Sequence, residues 1–254
     1  MFWSGTPEKM AELTKRAYDI IKAEDPKATV VAASTTVRLE GAFNRFFPRY
    51  LAALKDLGWP VDVLAAHMYP ASKGSTDERA AFIDQVTDAI TAAGAPDLPV
   101  WDTELNYGLA GPGPKNPLQT IEGARARDWV VQTELDSLHL GFDRTYWYIW
   151  TQKPYDLLGI QAYPGSDGEQ GFFALQNWVF GANFDGCTTS GDAVTCNFSK
   201  DGSKWVVAWA DKGTAPYTTP EGTALVCDPL ANCQETQAGT QITLTDVPVR
   251  VYIQ

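Results

Sequence analysis

Four short, almost continuously apolar runs punctuate the first two thirds of the chain, at 28–34 (ATVVAAS), 61–70 (VDVLAAHMYP), 98–104 (LPVWDTE) and 144–150 (RTYWYIW). A strand that is apolar on consecutive residues suits burial on both faces, and a helix-length connection between such strands belongs to a parallel crossover. The segments between the runs have helical spacing. Thr6 as cap and Pro7 at the first position open a helix to about Glu24, with Met10, Leu13, Ala17 and Ile20 or Ile21 on one face. Phe46, Phe47, Tyr50, Leu51 and Leu54 mark a second helix; Ser75 to Glu78 reads as a capping box opening a third, which ends at Gly94. Two more are predicted over about 118–140 and 169–182. The alternation predicts parallel βαβ units.

Beyond Gly186 the texture changes. Segments such as AVTCNF, KWVVAWA, ALVCD, QITLTDV and VRVYIQ are separated by Gly, Asp and Pro turns, which predicts a small antiparallel β domain. The boundary is placed near 184, giving a partial (β/α) barrel domain over 1–184 and a β-sandwich domain over 185–254.

Charge narrows the partners. With 31 acidic against 20 basic residues the net charge is −11, without a basic cluster, so nucleic acid and anionic membranes are poor partners and neutral substrates fit better. No run approaches the roughly 18 apolar residues of a membrane helix, and the opening MFWSGTPEKM has no signal-peptide character. The four cysteines, 187, 196, 227 and 233, fall as two closely spaced pairs in strand-rich sequence. Of the three connectivities that four cysteines allow, hairpin geometry favours Cys187–Cys196 and Cys227–Cys233, which implies an oxidising, secreted or extracytoplasmic setting. His67 and His139 lie far apart without ligand-spaced carboxylates, so no metal and no cofactor is expected. There is no phosphate-cradling Gly loop and no Gly-x-Ser-x-Gly elbow.

In parallel α/β sheets, functional groups collect at the carboxyl ends of the strands. The first predicted strand delivers Ser34, Thr35 and Thr36; the second His67 and Tyr69; the third Glu104 and Asn106; the fourth Trp147, Trp150 and Gln152. A strand-end carboxylate beside a Tyr that can donate to it is what a glycosidase nucleophile needs. Regular alternation would place residues 102 and 104 on one face, so Asp102 is expected one layer deeper in the interior.

The segments WDTELNYG (101–108), AHMYP (66–70) and YWYIWT (146–151) resemble the last strands of retaining glycoside hydrolases of clan A, nearest to glycoside hydrolase family 39. The β domain is similar to the C-terminal β-sandwich of such proteins. The resemblance implies strands five to eight of a (β/α)8 barrel, with Glu104 matching the nucleophile, Tyr69 and His67 its supports, and Trp150 the aromatic wall beside the scissile bond; Asn106 and Gln152 complete the expected glycan-binding set. The sequence departs from the family in one respect: the Asn-Glu-Pro motif carrying the acid/base occurs nowhere in the 254 residues. Glu40 is a weak substitute on the correct rim, and Asp156 and Glu169 are weaker.

Half a barrel also leaves two strand edges, at 28–34 and 144–150, to be covered. A second copy, a complementing N-terminal half-barrel, or the chain's own loops and β domain are the expected covers. The function expected is retaining hydrolysis of a β-linked glycan, with a non-catalytic, carbohydrate-binding or structural remnant as the alternative.

Overall fold

A computed structural model describes residues 3–253. The chain forms two compact units, one comprising residues up to 107 with 140–148, the other 108–139 with the residues from 149 onward.

The first unit is a four-stranded parallel sheet with helices in the crossovers. In order come α1 (Pro7–Glu24), β1 (Thr35–Thr36), α2 (Glu40–Asp56), β2 (Leu64–His67), α3 (Thr76–Ala93), β3 (Val100–Leu105) and β4 (Arg144–Trp147). The strands lie in sequence order, β1-β2-β3-β4, every neighbouring pair parallel. This is half of a (β/α)8 barrel. Its core joins Phe43, Phe47, Leu51 and Leu54 of α2 to Leu64 and Ala66 of β2 and Ile83 and Val86 of α3.

Thr6 caps α1 as expected, its hydroxyl accepting from the Lys9 amide at 3.1 Å, with Pro7 following. Gly94, left-handed at φ 67°, closes α3. Three local expectations are corrected. The apolar stripe of α1 is only partly covered, Leu13 and Ile20 being 40% and 56% exposed. The capping box at 75–78 does not form: Ser75 makes no side-chain cap bond, and the Glu78 carboxylate accepts from the Ala71 amide at 3.0 Å instead.

Third, the run 28–34 is not a continuous strand. Within it only Val31 forms a bridge, to Val63 just before β2, whereas Thr35 pairs with Ala66, so the first strand spends one residue more than its partner between the two points. Such an extra residue interrupts the ladder. One freed amide, that of Ala33, donates to the Tyr50 hydroxyl of α2 at 3.1 Å, and the same hydroxyl lies 2.9 Å from the Thr14 hydroxyl of α1. Tyr50 is fully buried, and burial raises its phenol pKa, so it stays protonated. Tyr50→Phe leaves this amide without its acceptor, and we expect it to cost about 1–3 kcal/mol of stability, measured by chemical denaturation.

The second unit adds α4 (Gly123–His139) and α5 (Asp167–Val179), then eight strands: β5 (Asn183–Ser190), β6 (Ala193–Lys200), β7 (Ser203–Ala210), β8 (Ala215–Thr218), β9 (Thr223–Cys227), β10 (Cys233–Glu235), β11 (Gln241–Leu244) and β12 (Val249–Ile253). Both helices begin at other positions than predicted. Residues 118–122 are extended rather than helical, Ile121 pairing with Ile160 and its amide donating to Gly159. α5 starts at Asp167 because Ser166 caps it, accepting from Glu169 while the Glu169 carboxylate accepts from Gly165 at 2.6 Å, and it ends at Val179.

An antiparallel sheet, β10-β9-β12-β7-β6-β5, packs one face against the ribbon β11-β8 through Val206, Ala208, Ala210 and Val251 on one side and Ala215 and Leu244 on the other. α4 and α5 meet its other residues, His139 lying edge-on to Trp209 and Arg250 donating to the Asn177 carbonyl. Cover on both faces explains why β7 reads as an unbroken apolar run rather than an alternating one. Both disulfides join directly opposed residues, Cys187–Cys196 across β5 and β6 and Cys227–Cys233 across β9 and β10, with Cα separations of 4.0 and 4.1 Å.

Candidate functional site

The carboxyl ends of β2 and β3 bring three of the predicted residues together. Tyr69 Oη donates to Glu104 Oε1 at 2.6 Å, and His67 Nδ1 lies 3.8 Å from Glu104 Oε2. Glu104 and His67 keep 36% and 25% of their side-chain surface exposed, so the carboxylate is reachable from solvent. Burial, and then the bond to Glu104, raise the Tyr69 phenol's pKa, so Tyr69 acts as a donor at any ordinary pH. Burial also holds the His67 imidazole below its usual 6.5, with the Glu104 carboxylate pulling the other way, so His67 is neutral at pH 7.

Because the folded pKa lies below 6.5, the unfolded chain binds the His67 proton first, and stability falls as pH drops below about 6.5. In Glu104→Gln the opposing pull is gone, so the His67 titration followed by proton NMR is expected to shift further down; an upward shift would contradict this arrangement.

What aims Glu104 is a β-bulge. Asp102 pairs with Thr145 and Leu105 with Trp147, so β3 spends three residues where β4 spends two. Asp102 and Leu105 are the buried positions, three residues apart, while Thr103 and Glu104 between them share the opposite side. Thr103 accordingly meets Ser34, hydroxyl to hydroxyl at 2.6 Å. Asp102 is therefore not one layer beneath Glu104. It points to α3, where Arg79 donates to Oδ2 from Nη2 at 2.9 Å and from Nε at 3.2 Å.

The Met68 amide donates to Asp102 Oδ1 at 3.2 Å, and the Glu104 amide donates to the same carboxyl. Burial pushes Asp102 up to about 6, against the pull of Arg79 and these amides, so it is ionised at pH 7. The pair thus fixes the backbone on both sides of the site, at β2 through Met68 and at the bulge through Glu104.

Sequence reasoning missed Arg79 and Arg38. Arg79 had a signal: it shares the buried face of α3 with Ile83 and Val86, at i, i+4 and i+7, where a cation needs a buried partner. Arg38, whose guanidinium lies 5.7 Å from the Tyr69 ring centroid, had none.

The other predicted residues lie elsewhere. Asn106 is fully buried; its Nδ2 donates to the Tyr148 carbonyl and its Oδ1 accepts from the Tyr107 amide, both at 2.7 Å, which ties the end of β3 to that of β4. Trp147 lies against Tyr107, with centroids 6.1 Å apart. Thr35 and Thr36 form β1 itself. Trp150 and Gln152 belong to the second unit; Trp150 bridges Ala162, meets Phe172 edge-on and is 49% exposed, and Gln152 is exposed. Glu40 is exposed at the first position of α2, Asp156 is exposed in a turn, and Glu169 is committed to its helix cap. Among the described residues no cluster of three or more His, Cys, Asp or Glu side chains is placed to hold a metal ion.

No protein-family model and no curated protein matches the sequence. Solved structures do match its fold. A family 39 glycoside hydrolase from the gut symbiont Bacteroides cellulosilyticus WH2 superposes with TM-score 0.64 at 14% identity, over 96% of this chain and 54% of that one. A Paenibacillus polymyxa xyloglucanase of family 44 gives 0.59 at 11% identity over 98% and 61%, and a family 39 β-xylosidase from Caulobacter crescentus 0.54 at 15% over 96% and 61%. The chain thus spans between half and two thirds of the length of these neighbours, and shares with them the fold of a barrel half followed by a β-sandwich.

Proposed function

We propose that this chain is the nucleophile-bearing part of a retaining glycoside hydrolase acting on a β-linked plant or bacterial glycan, of a kind resembling family 39. One observation carries the reading: an accessible carboxylate at the end of a parallel strand, held by a Tyr hydroxyl at 2.6 Å. Glu104 attacks the anomeric carbon, and Tyr69 keeps it aimed. Neutral His67 and Tyr69 contact the sugar in the adjoining subsite. Asn106 serves by holding the two strand ends together. A β-xylosidase, a xyloglucanase and an α-L-arabinofuranosidase among the fold neighbours support a glycan as the substrate class.

The second carboxyl that a retaining mechanism needs, about 5 Å from the nucleophile, comes from another chain or segment, a complementing half-barrel or a second copy at the β1 and β4 edges. The two disulfides support an exported protein. A single experiment tests the central claim. Incubation with a 2,4-dinitrophenyl 2-deoxy-2-fluoro glycoside, whose leaving group departs without a proton, is expected to add one sugar mass to the peptide carrying Glu104; an unlabelled Glu104 in folded protein overturns it. The second reading is a glycan-binding remnant without turnover; oligosaccharide binding unchanged in Glu104→Gln, with no labelling, would select it.

A further inference from the structure

A cleft of about 640 Å³ opens on the second unit between the end of α5, the β6–β7 turn and β12. Two hydrogen-bond donors in its wall are buried and have no acceptor among the described residues: the indole Nε1 of Trp205, a residue only 5% exposed, and Nε of Arg250. A buried donor without an acceptor is destabilising, the more so when it is charged, so two in one cleft are a demand for an acceptor.

The geometry says which kind. Arg250 Nη1 is spent on the Asn177 carbonyl at 2.8 Å, which anchors the guanidinium. Its carbon lies 4.3 Å from the Trp205 ring centroid and 4.2 Å from that of Tyr252, so aromatic faces hold it by its plane and leave its edge to donate. The Trp205 ring is itself stacked on Phe198, at 6.2 Å and 13°, and under Arg250, so its faces are taken and only its buried N–H is without a partner. It is therefore not a platform for a sugar ring. Lys200, whose ammonium donates to the Phe180 carbonyl at 3.2 Å, adds a second cation; with Asp201 as the one acid in the wall, the cleft is net positive on a chain of net −11.

Neutral polyols offer donors and acceptors alike, whereas this wall presents unmatched donors and positive charge. A planar carboxylate answers both. At the rim, Phe180 is 73% exposed and offers the free apolar face that the buried Trp205 does not.

We propose that this cleft binds a carboxylate-bearing saccharide, a uronic acid unit whose carboxylate is taken by the Arg250 edge and the Trp205 N–H while its ring lies on Phe180. The saccharide part rests on the glycan reading above; the carboxylate part rests on the cleft alone.

The test is calorimetric titration of the whole chain with a β-linked oligosaccharide carrying one glucuronic acid, and with the same oligosaccharide after reduction of that carboxyl to the alcohol. We expect the acid to bind at least tenfold tighter, Trp205→Phe and Lys200→Gln to weaken it several-fold, and Arg250→Gln to weaken it tenfold or more. Equal binding of acid and alcohol, no binding of the acid, or wild-type affinity in both Trp205→Phe and Lys200→Gln overturns the proposal. Because Arg250 also anchors α5, those two variants decide the matter if Arg250→Gln fails to fold. Labelling at Glu104 is read separately, so either site can fail while the other stands.

Discussion

With a 2,4-dinitrophenyl glycoside as substrate, Glu104→Gln is expected to abolish dinitrophenol release, lowering the rate by on the order of 10⁴- to 10⁶-fold, as loss of a nucleophile does elsewhere. The choice of substrate matters. A general acid contributes roughly 10²- to 10⁴-fold by protonating the leaving oxygen, and dinitrophenolate departs without that proton. Formation of the glycosyl-enzyme then depends on the nucleophile and its aim alone, and the chain can be assayed without the missing carboxyl. The following hydrolysis lacks a base, so the wild-type chain should give one rapid burst of dinitrophenol followed by slow turnover. Azide, which needs no base to attack, should raise that turnover and yield a glycosyl azide of retained configuration. Gln keeps the size of Glu and an oxygen for Tyr69 to donate to, so the variant should fold normally. A burst of undiminished size from Glu104→Gln would sink the assignment.

Arg79→Ala is expected to destabilise the first unit by about 3–5 kcal/mol, because it strands the Asp102 charge where neither side chain has more than 1% of its surface exposed. Against a typical total of about 5–15 kcal/mol, this is a large fraction. A pair removed together behaves differently: Arg79→Met with Asp102→Leu takes away both charges, and much of the loss should return. The site should not return with it. Asp102 also accepts from the Glu104 amide at the bulge and from Met68 at the end of β2, so the double variant is expected to regain its thermal midpoint while losing Glu104 labelling. Full labelling in a refolded double variant would show that the bulge holds without its buried carboxylate.

Much of the architecture was legible because burial on two faces leaves a mark in one dimension. The apolar runs around residues 64–67 and 100–105 became β2 and β3, and Thr6, Pro7 and Gly94 bounded their helices, since a cap or a left-handed glycine acts within a few residues of itself. The cysteine pairing was equally local, with each partner directly across a hairpin. The failures are of another kind. Glu78 left its capping box for an amide seven residues upstream, and the Ala33 amide left the sheet for Tyr50. In each case a group chose between a near partner and one supplied by packing, and spacing alone does not rank those choices. Arg38 against Tyr69 is the extreme instance, a contact across 31 positions with no pattern to announce it.

By itself the sequence determined that parallel βα units precede an antiparallel domain, that Glu104, Tyr69 and His67 stand at strand ends, and that no Asn-Glu-Pro accompanies them. Periodicity and strand polarity suffice for all of that. Only the tertiary structure decided which way the carboxylates point. Strict alternation puts Asp102 and Glu104 on one face; one extra residue in β3, opposite two in β4, sends Asp102 to Arg79 and Glu104 to Tyr69. A bulge is set by how a strand's neighbours pair, and because strand side chains alternate with period two, one unpaired residue is enough to reverse every assignment beyond it.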